Sequence, residues 1–138
     1  MVTKKLMERV KKHEGFRSKP YKCSAGKLTI GYGRNLDDTG ISREEANVML
    51  TNDLFKAASK LDKLNLRLYK INRARKNVLI EMIFNLGLYG VLKFTKMLAA
   101  IRLGDYDKAA AEMLNSLWSK QVGIRANKLS KIMLTGKE

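Results

Sequence analysis

The chain has 138 residues, of which 45% are apolar, so it can bury one core and is too short for two ordinary domains. Its single proline and its wealth of Lys, Leu, Ala, Met and Glu favour helices over strands. The 28 basic residues outnumber the 13 acidic ones and give a net charge of +15, which attracts polyanions such as nucleic acid, anionic lipid or bacterial wall polymers without identifying one.

The N-terminal pattern predicts an amphipathic helix over residues 3–14. Leu6, Met7 and Val10 share one side of a helical wheel, and Gly15 is expected to end the helix. No apolar stretch here is long enough for a signal peptide, and none elsewhere is long enough to cross a membrane. We therefore expect a protein that is made and kept in the host cytoplasm until something else releases it.

The next two segments predict a small β lobe and a connecting helix. Residues 15–41 are broken by Pro20 and several glycines, which is typical of an antiparallel hairpin or meander. Ser42 followed by Glu45 is a capping box, and apolar residues then recur at helical spacing. A long helix over 42–64 is therefore expected to join the β lobe to the rest of the chain.

The remainder, 70–135, predicts a helical bundle. Asn72 caps a long core helix that ends at Gly87, and Asp105 caps a helix that is expected to run through Trp118. Two further helices are predicted at 94–103 and 123–134. The residues assigned to core packing rather than to ligand binding are Met82, Phe84, Phe94, Met113 and Trp118. The predicted fold is a single, mostly helical α+β domain over 1–138.

Few residues are candidates for chemistry. Glu14 lies at a helix C-terminus beside the β lobe, where the helix dipole and partial burial favour the protonated carboxyl of a proton donor. By position alone, an exposed surface glutamate is the more common case. Cys23 is the only cysteine and His13 the only histidine, so neither a disulfide, a catalytic triad nor an ordinary tetrahedral metal site is expected.

Two local sequences resemble the N-terminal signature of the phage-type lysozymes, or endolysins. They are HEGFR at 13–17 and TIGYG at 29–33. That family's catalytic pattern is Glu, eight residues, Asp or sometimes Cys, five residues, Thr, and Glu14, Cys23 and Thr29 stand at this spacing. The resemblance continues at 41–46, 77–87, 90–95 and 116–118. It implies a lysozyme-like fold in which the hairpin lobe and the helical lobe enclose a glycan-binding cleft.

The resemblance also implies the chemistry. Glu14 would protonate the leaving oxygen of a β-1,4 bond between N-acetylmuramic acid and N-acetylglucosamine, and Cys23 and Thr29 would organise water. Because Cys23 replaces the more usual Asp, its role is open: it ionises, it positions water, or it attacks the sugar itself. Positioning is favoured because it requires only hydrogen bonds. An inverting glycosidase places its two groups roughly 6.5–9.5 Å apart.

Other residues acquire expected roles from the same resemblance. Arg125 would hold the Glu14 carboxyl, and Arg34 and Asp53 occupy positions where the family can place an ion pair. The residues expected to contact substrate are Tyr32, Asn85, Gln121 and Arg125. The segment 35–41 is shorter than in the T-even enzymes, which leaves the register of the substrate open. No cofactor or metal is implied.

The expected partners are peptidoglycan strands and the anionic cell envelope, which a monomer would reach after release by a holin. Two alternatives remain. One is a wall- or membrane-binding protein that damages anionic envelopes without catalysis through cationic helices such as the basic, amphipathic segment 123–134; the same damage could also be a second, antimicrobial activity beside hydrolysis. The charge alone also allows nucleic-acid binding, but the basic residues are scattered over every helix, so only nonspecific, salt-sensitive binding is expected.

Overall fold

The computed structural model describes residues 1–138, which divide into two compact units, unit 1 (Met1–Val48) and unit 2 (Met49–Glu138). The elements that begin in unit 1 are α1 (Lys4–Glu14), β1 (Arg17–Lys22), β2 (Leu28–Gly31), β3 (Arg34–Asn35) and α2 (Arg43–Ala58). The division between the units falls within α2.

Unit 2 is entirely helical beyond α2. It contains two 3₁₀ turns, Leu61–Leu64 and Leu68–Lys70, followed by α3 (Arg73–Leu92), α4 (Thr95–Arg102), α5 (Tyr106–Leu114), α6 (Leu117–Val122) and α7 (Ile124–Thr135). Together with the three strands of unit 1, these helices confirm the predicted α+β, mostly helical fold class.

The three strands of unit 1 form an antiparallel meander in the order β1, β2, β3. Thr29 lies on the central strand, where it pairs with Tyr21 on one side and Asn35 on the other. It is 4% exposed and is the only buried residue of unit 1. The predicted meander is confirmed, and its centre is a polar side chain that requires a hydrogen-bond partner.

Side chains cap the N-termini of both helices that begin in unit 1. The Thr3 hydroxyl accepts a hydrogen bond from the backbone N–H of Leu6, 3.1 Å away, and begins α1. At α2, the Glu45 N–H donates to the Ser42 hydroxyl at 3.1 Å, and the Ser42 N–H donates to the Glu45 carboxylate at 2.9 Å. The predicted capping box is therefore confirmed, although α2 ends at Ala58 rather than extending to residue 64.

The apolar core lies in unit 2, where α7 packs against α3, α5 and α6. Its largest fully buried side chains are Leu64, Val78, Leu79, Met82, Val91, Met97, Met113 and Met133. Ser130 on α7 is also buried, and its hydroxyl donates to the Ala110 carbonyl on α5 at 3.1 Å. This hydrogen bond satisfies a polar group that burial would otherwise make costly.

Two boundaries in unit 2 test the sequence predictions. Gly87 has φ 75 and ψ 165, so it interrupts α3 where the end of the core helix was predicted. The predicted helix from Asp105 through Trp118 is wrong, because α5 ends at Leu114 and the Ser116 hydroxyl caps a separate α6. The Ser119 N–H donates to that hydroxyl at 3.1 Å, so a new helix begins at Leu117, three residues after α5 ends.

The predicted core residues are confirmed except at one position. Met82, Met113 and Trp118 are buried, and Phe94 packs against the same cluster. Phe84 is 41% exposed, so its assignment to the core is wrong: helical spacing did not place it on the buried face of α3.

No single helix has both the length and the apolar composition needed to cross a bilayer. Taken together, the bent pair α3 and α4 meets these two criteria.

Candidate active site

Glu14 is the last residue of α1. Gly15 caps the helix with φ 72, and its N–H donates to the Lys11 carbonyl at 2.8 Å. The chain then turns directly into β1, which leaves the Glu14 side chain beside the turn between β2 and β3. There its carboxyl lies over Gly33. The side chain is exposed, so the partial burial expected for Glu14 beside the β lobe is not present.

Cys23 follows β1 in the tight turn that leads to β2. Its N–H donates to the Lys27 carbonyl at 2.9 Å, and its own carbonyl accepts from Gly26 at 2.8 Å. The Thr29 hydroxyl donates to the same Lys27 carbonyl at 2.9 Å. Two of the three predicted catalytic residues, Cys23 and Thr29, are therefore brought together around one backbone oxygen.

The turn also perturbs the thiol. Hydrogen bonds from the backbone N–H groups of Lys27 and then Ala25 lower the pKa of Cys23 below its ordinary value of 9.0, whereas burial opposes this shift. The Thr29 hydroxyl has a smaller effect in the same direction. Since that hydroxyl has one proton, which it donates to the Lys27 carbonyl, it can donate to the sulfur only by leaving that carbonyl. The backbone donors are therefore the main cause.

Tyr32 forms an exposed aromatic surface with Phe16, the second residue after Glu14. Their ring centroids are 5.5 Å apart, and the Lys11 ammonium lies 5.7 Å from the Tyr32 ring centroid. Tyr32 is 47% exposed and Phe16 is 58% exposed. Tyr32 was predicted as a substrate contact, whereas Phe16 was not. The position of Phe16, two residues after Glu14, could have indicated that it lies near the site.

Arg34 on β3 is paired with Glu45 on α2. Its two terminal nitrogens lie 2.9 and 2.6 Å from the two carboxylate oxygens, and one of them also donates to the Gly40 carbonyl at 3.0 Å. Within unit 1 the acidic partner of Arg34 is thus Glu45. The Arg34 guanidinium is the main reason that the pKa of Glu45 falls to about 2. Bidentate geometry of this kind fixes orientation as well as charge.

This ion pair predicts a pH-dependent stability. Because the folded-state pKa of Glu45 lies below its ordinary value of 4.5, its contribution is fully present above pH 4.5 and is lost as the pH falls through about 2. We expect Glu45→Gln to lower the midpoint of thermal unfolding at pH 6, and the difference from wild type to close between pH 4.5 and 2. Glu44→Gln, an exposed change in the same helical turn, is the control. A pH-independent difference would exclude ionisation of Glu45 as the cause.

The other proposed substrate contacts belong to unit 2. The Asn85 side-chain oxygen accepts a hydrogen bond from the Trp118 indole at 2.8 Å, which orients its amide group. Gln121 is exposed on α6. Arg125 on α7 donates to the Glu81 carboxylate at 2.9 Å, so within unit 2 its acidic partner is Glu81. Sequence analysis did not identify Glu81, because the pairing joins residues far apart in the chain.

Unit 2 also contains an open apolar cavity of about 670 Å³ between the second half of α2, α3 and α7. Its lining includes Phe55, Val78, Ile80 and Ile132. None of the predicted catalytic or substrate-binding residues lines it. Cavity size therefore does not locate the site that the sequence predicts.

Comparison with known proteins identifies the family. Residues 11–132 match the family model described as phage lysozyme. The chain is 29% identical to an endolysin of Acyrthosiphon pisum secondary endosymbiont phage 1 over 86% of its length and 80% of the relative, and 34% identical to an endolysin of Bacillus phage B103 over 88% of its length and 47% of the relative. It therefore belongs to the phage lysozyme family, a family of glycoside hydrolases, which confirms the resemblance recognised in the sequence.

One relative is a much larger protein. The pre-baseplate central spike protein of Enterobacteria phage T4 is 31% identical over 95% of this chain. The chain spans only 28% of that relative. The similarity thus covers nearly all of this chain and a minor part of the relative.

Proposed function

We propose that the chain is a muramidase that hydrolyses the β-1,4 bond between N-acetylmuramic acid and N-acetylglucosamine in peptidoglycan, with Glu14 as the general acid. The chain belongs to a family of glycoside hydrolases. The observation that carries the proposal is the position of Glu14, which ends α1 and holds an accessible carboxyl over the β2–β3 turn. Glycoside hydrolysis needs one acid to protonate the leaving oxygen and a second group to supply water or a nucleophile.

The second group is proposed to be Cys23 together with Thr29. The Cys23 backbone N–H and the Thr29 hydroxyl both bond the Lys27 carbonyl, which places the two residues at one end of the sheet. A thiol and a hydroxyl at this point can accept and donate hydrogen bonds to a water molecule. The lowered pKa of Cys23 supports the alternative in which the thiolate acts as the base or the nucleophile. Water positioning remains the proposed role because it does not require ionisation.

Substitutions at Cys23 separate these roles. If Cys23 positions water, Cys23→Ser is expected to keep most of the activity, and Cys23→Ala to lower it by about 10-fold, less than Glu14→Gln does. Serine retains the hydrogen bonds but does not ionise near neutral pH. The measurement is the rate at which new reducing ends appear in purified peptidoglycan, recorded against pH for each variant.

The same variants also show whether the thiolate of Cys23 is required. If Cys23→Ser loses as much activity as Cys23→Ala, and both lose as much as Glu14→Gln while remaining folded, the thiolate itself is required. The rate of alkylation by iodoacetamide against pH gives the titration of the thiol independently of hydrolysis. Its midpoint is expected below 9.0.

Tyr32, Asn85, Gln121 and Arg125 are proposed to contact the glycan. The exposed ring of Tyr32, extended by Phe16, offers an apolar face of the kind on which a sugar ring can stack. The Asn85 amide nitrogen can donate to a sugar oxygen while the amide oxygen stays bonded to the Trp118 indole. The Arg125 guanidinium can bond an anionic group while keeping Glu81.

The cationic surface is proposed to concentrate the protein, as a monomer, on the anionic cell envelope. Arg125, Lys128, Lys131 and Lys137 line one open cavity of about 720 Å³ in unit 2, together with Glu81 and Glu138. Such a surface attracts anionic polymers and is screened by salt. The proposed location is the host cytoplasm until a holin opens the way to the wall. Expression in a Gram-negative host with and without a holin tests this, since lysis is expected only with the holin.

A further inference from the structure

The Glu14 carboxyl lies in space that a side chain at Gly33 would occupy. A Cβ atom built on Gly33 would be 2.7 Å from Oε2 of Glu14, 3.1 Å from its Cδ and 3.5 Å from its Cγ. Real Cβ atoms essentially never come within 3.0 Å of a non-bonded heavy atom outside their own and neighbouring residues. Any residue other than glycine at this position therefore requires either the backbone or the Glu14 carboxyl to move.

The backbone of Gly33 is held in place from both sides. Ile30, which precedes the turn, pairs with Arg34, which follows it, across the β2–β3 ladder. Arg34, the residue directly after Gly33, is bonded through its guanidinium to the Glu45 carboxylate and to the Gly40 carbonyl. Because this backbone is fixed and the end of the glutamate side chain is flexible, the carboxyl is the group that moves.

We propose that Gly33 is a positioning residue for Glu14: the absence of a side chain at Gly33 allows the carboxyl to occupy one defined place over the turn. The inference rests on the proposed role of Glu14 as the general acid. With a Cβ at Gly33, Oε2 has to move by about 0.7 Å, from 2.7 Å to the 3.4 Å at which ordinary contacts begin. A misplacement of about 1 Å in a catalytic group can cost on the order of 100-fold in rate.

Gly31, the last residue of β2 and two positions before Gly33, provides a matched control. It has φ +69, close to the +79 of Gly33, so an alanine at either position adopts a similarly strained backbone. A Cβ at Gly31, however, meets nothing within 4 Å. Gly31→Ala and Gly33→Ala are therefore expected to lower stability by similar amounts, while only Gly33→Ala displaces Glu14.

The experiment compares wild type, Gly31→Ala and Gly33→Ala by two measurements. The first is hydrolysis of purified peptidoglycan, in which Gly33→Ala is expected to lower kcat by about 10- to 100-fold with little change in KM, and Gly31→Ala to stay within about 3-fold of wild type. The second is the ¹³C signal of the Glu14 side-chain carboxyl in protein labelled at glutamate, assigned by its loss in Glu14→Gln. This signal is expected to shift in Gly33→Ala and to stay at the wild-type position in Gly31→Ala.

An unshifted Glu14 signal in Gly33→Ala, or equal shifts in both alanine variants, would overturn the proposal. If Gly33→Ala does not fold, Gly33→Asn and Gly31→Asn replace the pair, because asparagine tolerates positive φ better and still carries a Cβ. The carbon signal does not depend on activity. A wild-type protein that cleaves no peptidoglycan would therefore refute the proposed function, while the signal would still decide whether Gly33 positions the carboxyl.

Discussion

Replacing Glu14 with glutamine is expected to lower the rate of peptidoglycan hydrolysis by about 100- to 10,000-fold, the range by which a positioned general acid accelerates a reaction. Glutamine keeps the size of the side chain and its contact with Gly33 but cannot release a proton to the leaving oxygen. Because Glu14 is exposed and ends a helix, little change in stability accompanies the loss. The measurement is the release of reducing ends from purified peptidoglycan.

Glu8→Gln is the matched control for this substitution. It removes the same charge from the same helix, at an exposed position where the carboxylate pairs with Lys11. We expect it to keep wild-type activity. If Glu14→Gln clears permeabilised bacteria as fast as wild type does, the cationic surface rather than glycan hydrolysis causes the damage.

Replacing Leu79 with alanine is expected to cost about 2–5 kcal/mol of unfolding free energy, the range for truncating a large buried aliphatic side chain. Leu79 lies on α3 and is 0% exposed, within the cluster that includes Val78, Met82 and Met97. Truncation loses the transfer free energy of the buried atoms and also creates a cavity. Urea unfolding followed by circular dichroism measures the change.

Leu103→Ala is the control for Leu79→Ala, because Leu103 is 85% exposed and the same atoms are removed from a surface position. We expect this change to cost well under about 1 kcal/mol. A comparable loss in both variants would contradict the description of α3 as the core helix of unit 2.

The sequence predicted those elements whose signals are local. The Ser42 and Glu45 capping box, the Asn72 cap and the break at Gly87 each depend on residues a few positions apart, and all are present in the structure. The helix break at Ser116 also had a local signal, because serine is a preferred N-cap residue. The apolar spacing around Ser116 obscured that signal.

Interactions across the chain could not be predicted in the same way. The partner of Arg34 is Glu45, 11 positions away, and the partner of Arg125 is Glu81, 44 positions away. Both pairings depend on how elements pack, which the spacing of residues does not specify. Phe84 was misassigned for a related reason: helical periodicity gives relative faces but not the width of the buried one.

The candidate site divides along the same line. The spacing of Glu14, Cys23 and Thr29 was recognisable because it resembles a family pattern, not because periodicity indicates catalysis. The shared bonding of Cys23 and Thr29 to the Lys27 carbonyl became visible only with the turn geometry. The contact of Glu14 with Gly33 joins residues 19 positions apart and likewise required the structure.

The most direct test of the central claim is the chemical identity of the ends that the protein creates in purified peptidoglycan. The products are reduced with borohydride and identified by mass spectrometry, for wild type beside Glu14→Gln. A muramidase yields new N-acetylmuramic acid reducing ends, which appear as N-acetylmuramitol with wild type and are absent with Glu14→Gln. New N-acetylglucosamine reducing ends, non-reducible anhydro ends or cleaved peptides would contradict the proposed reaction.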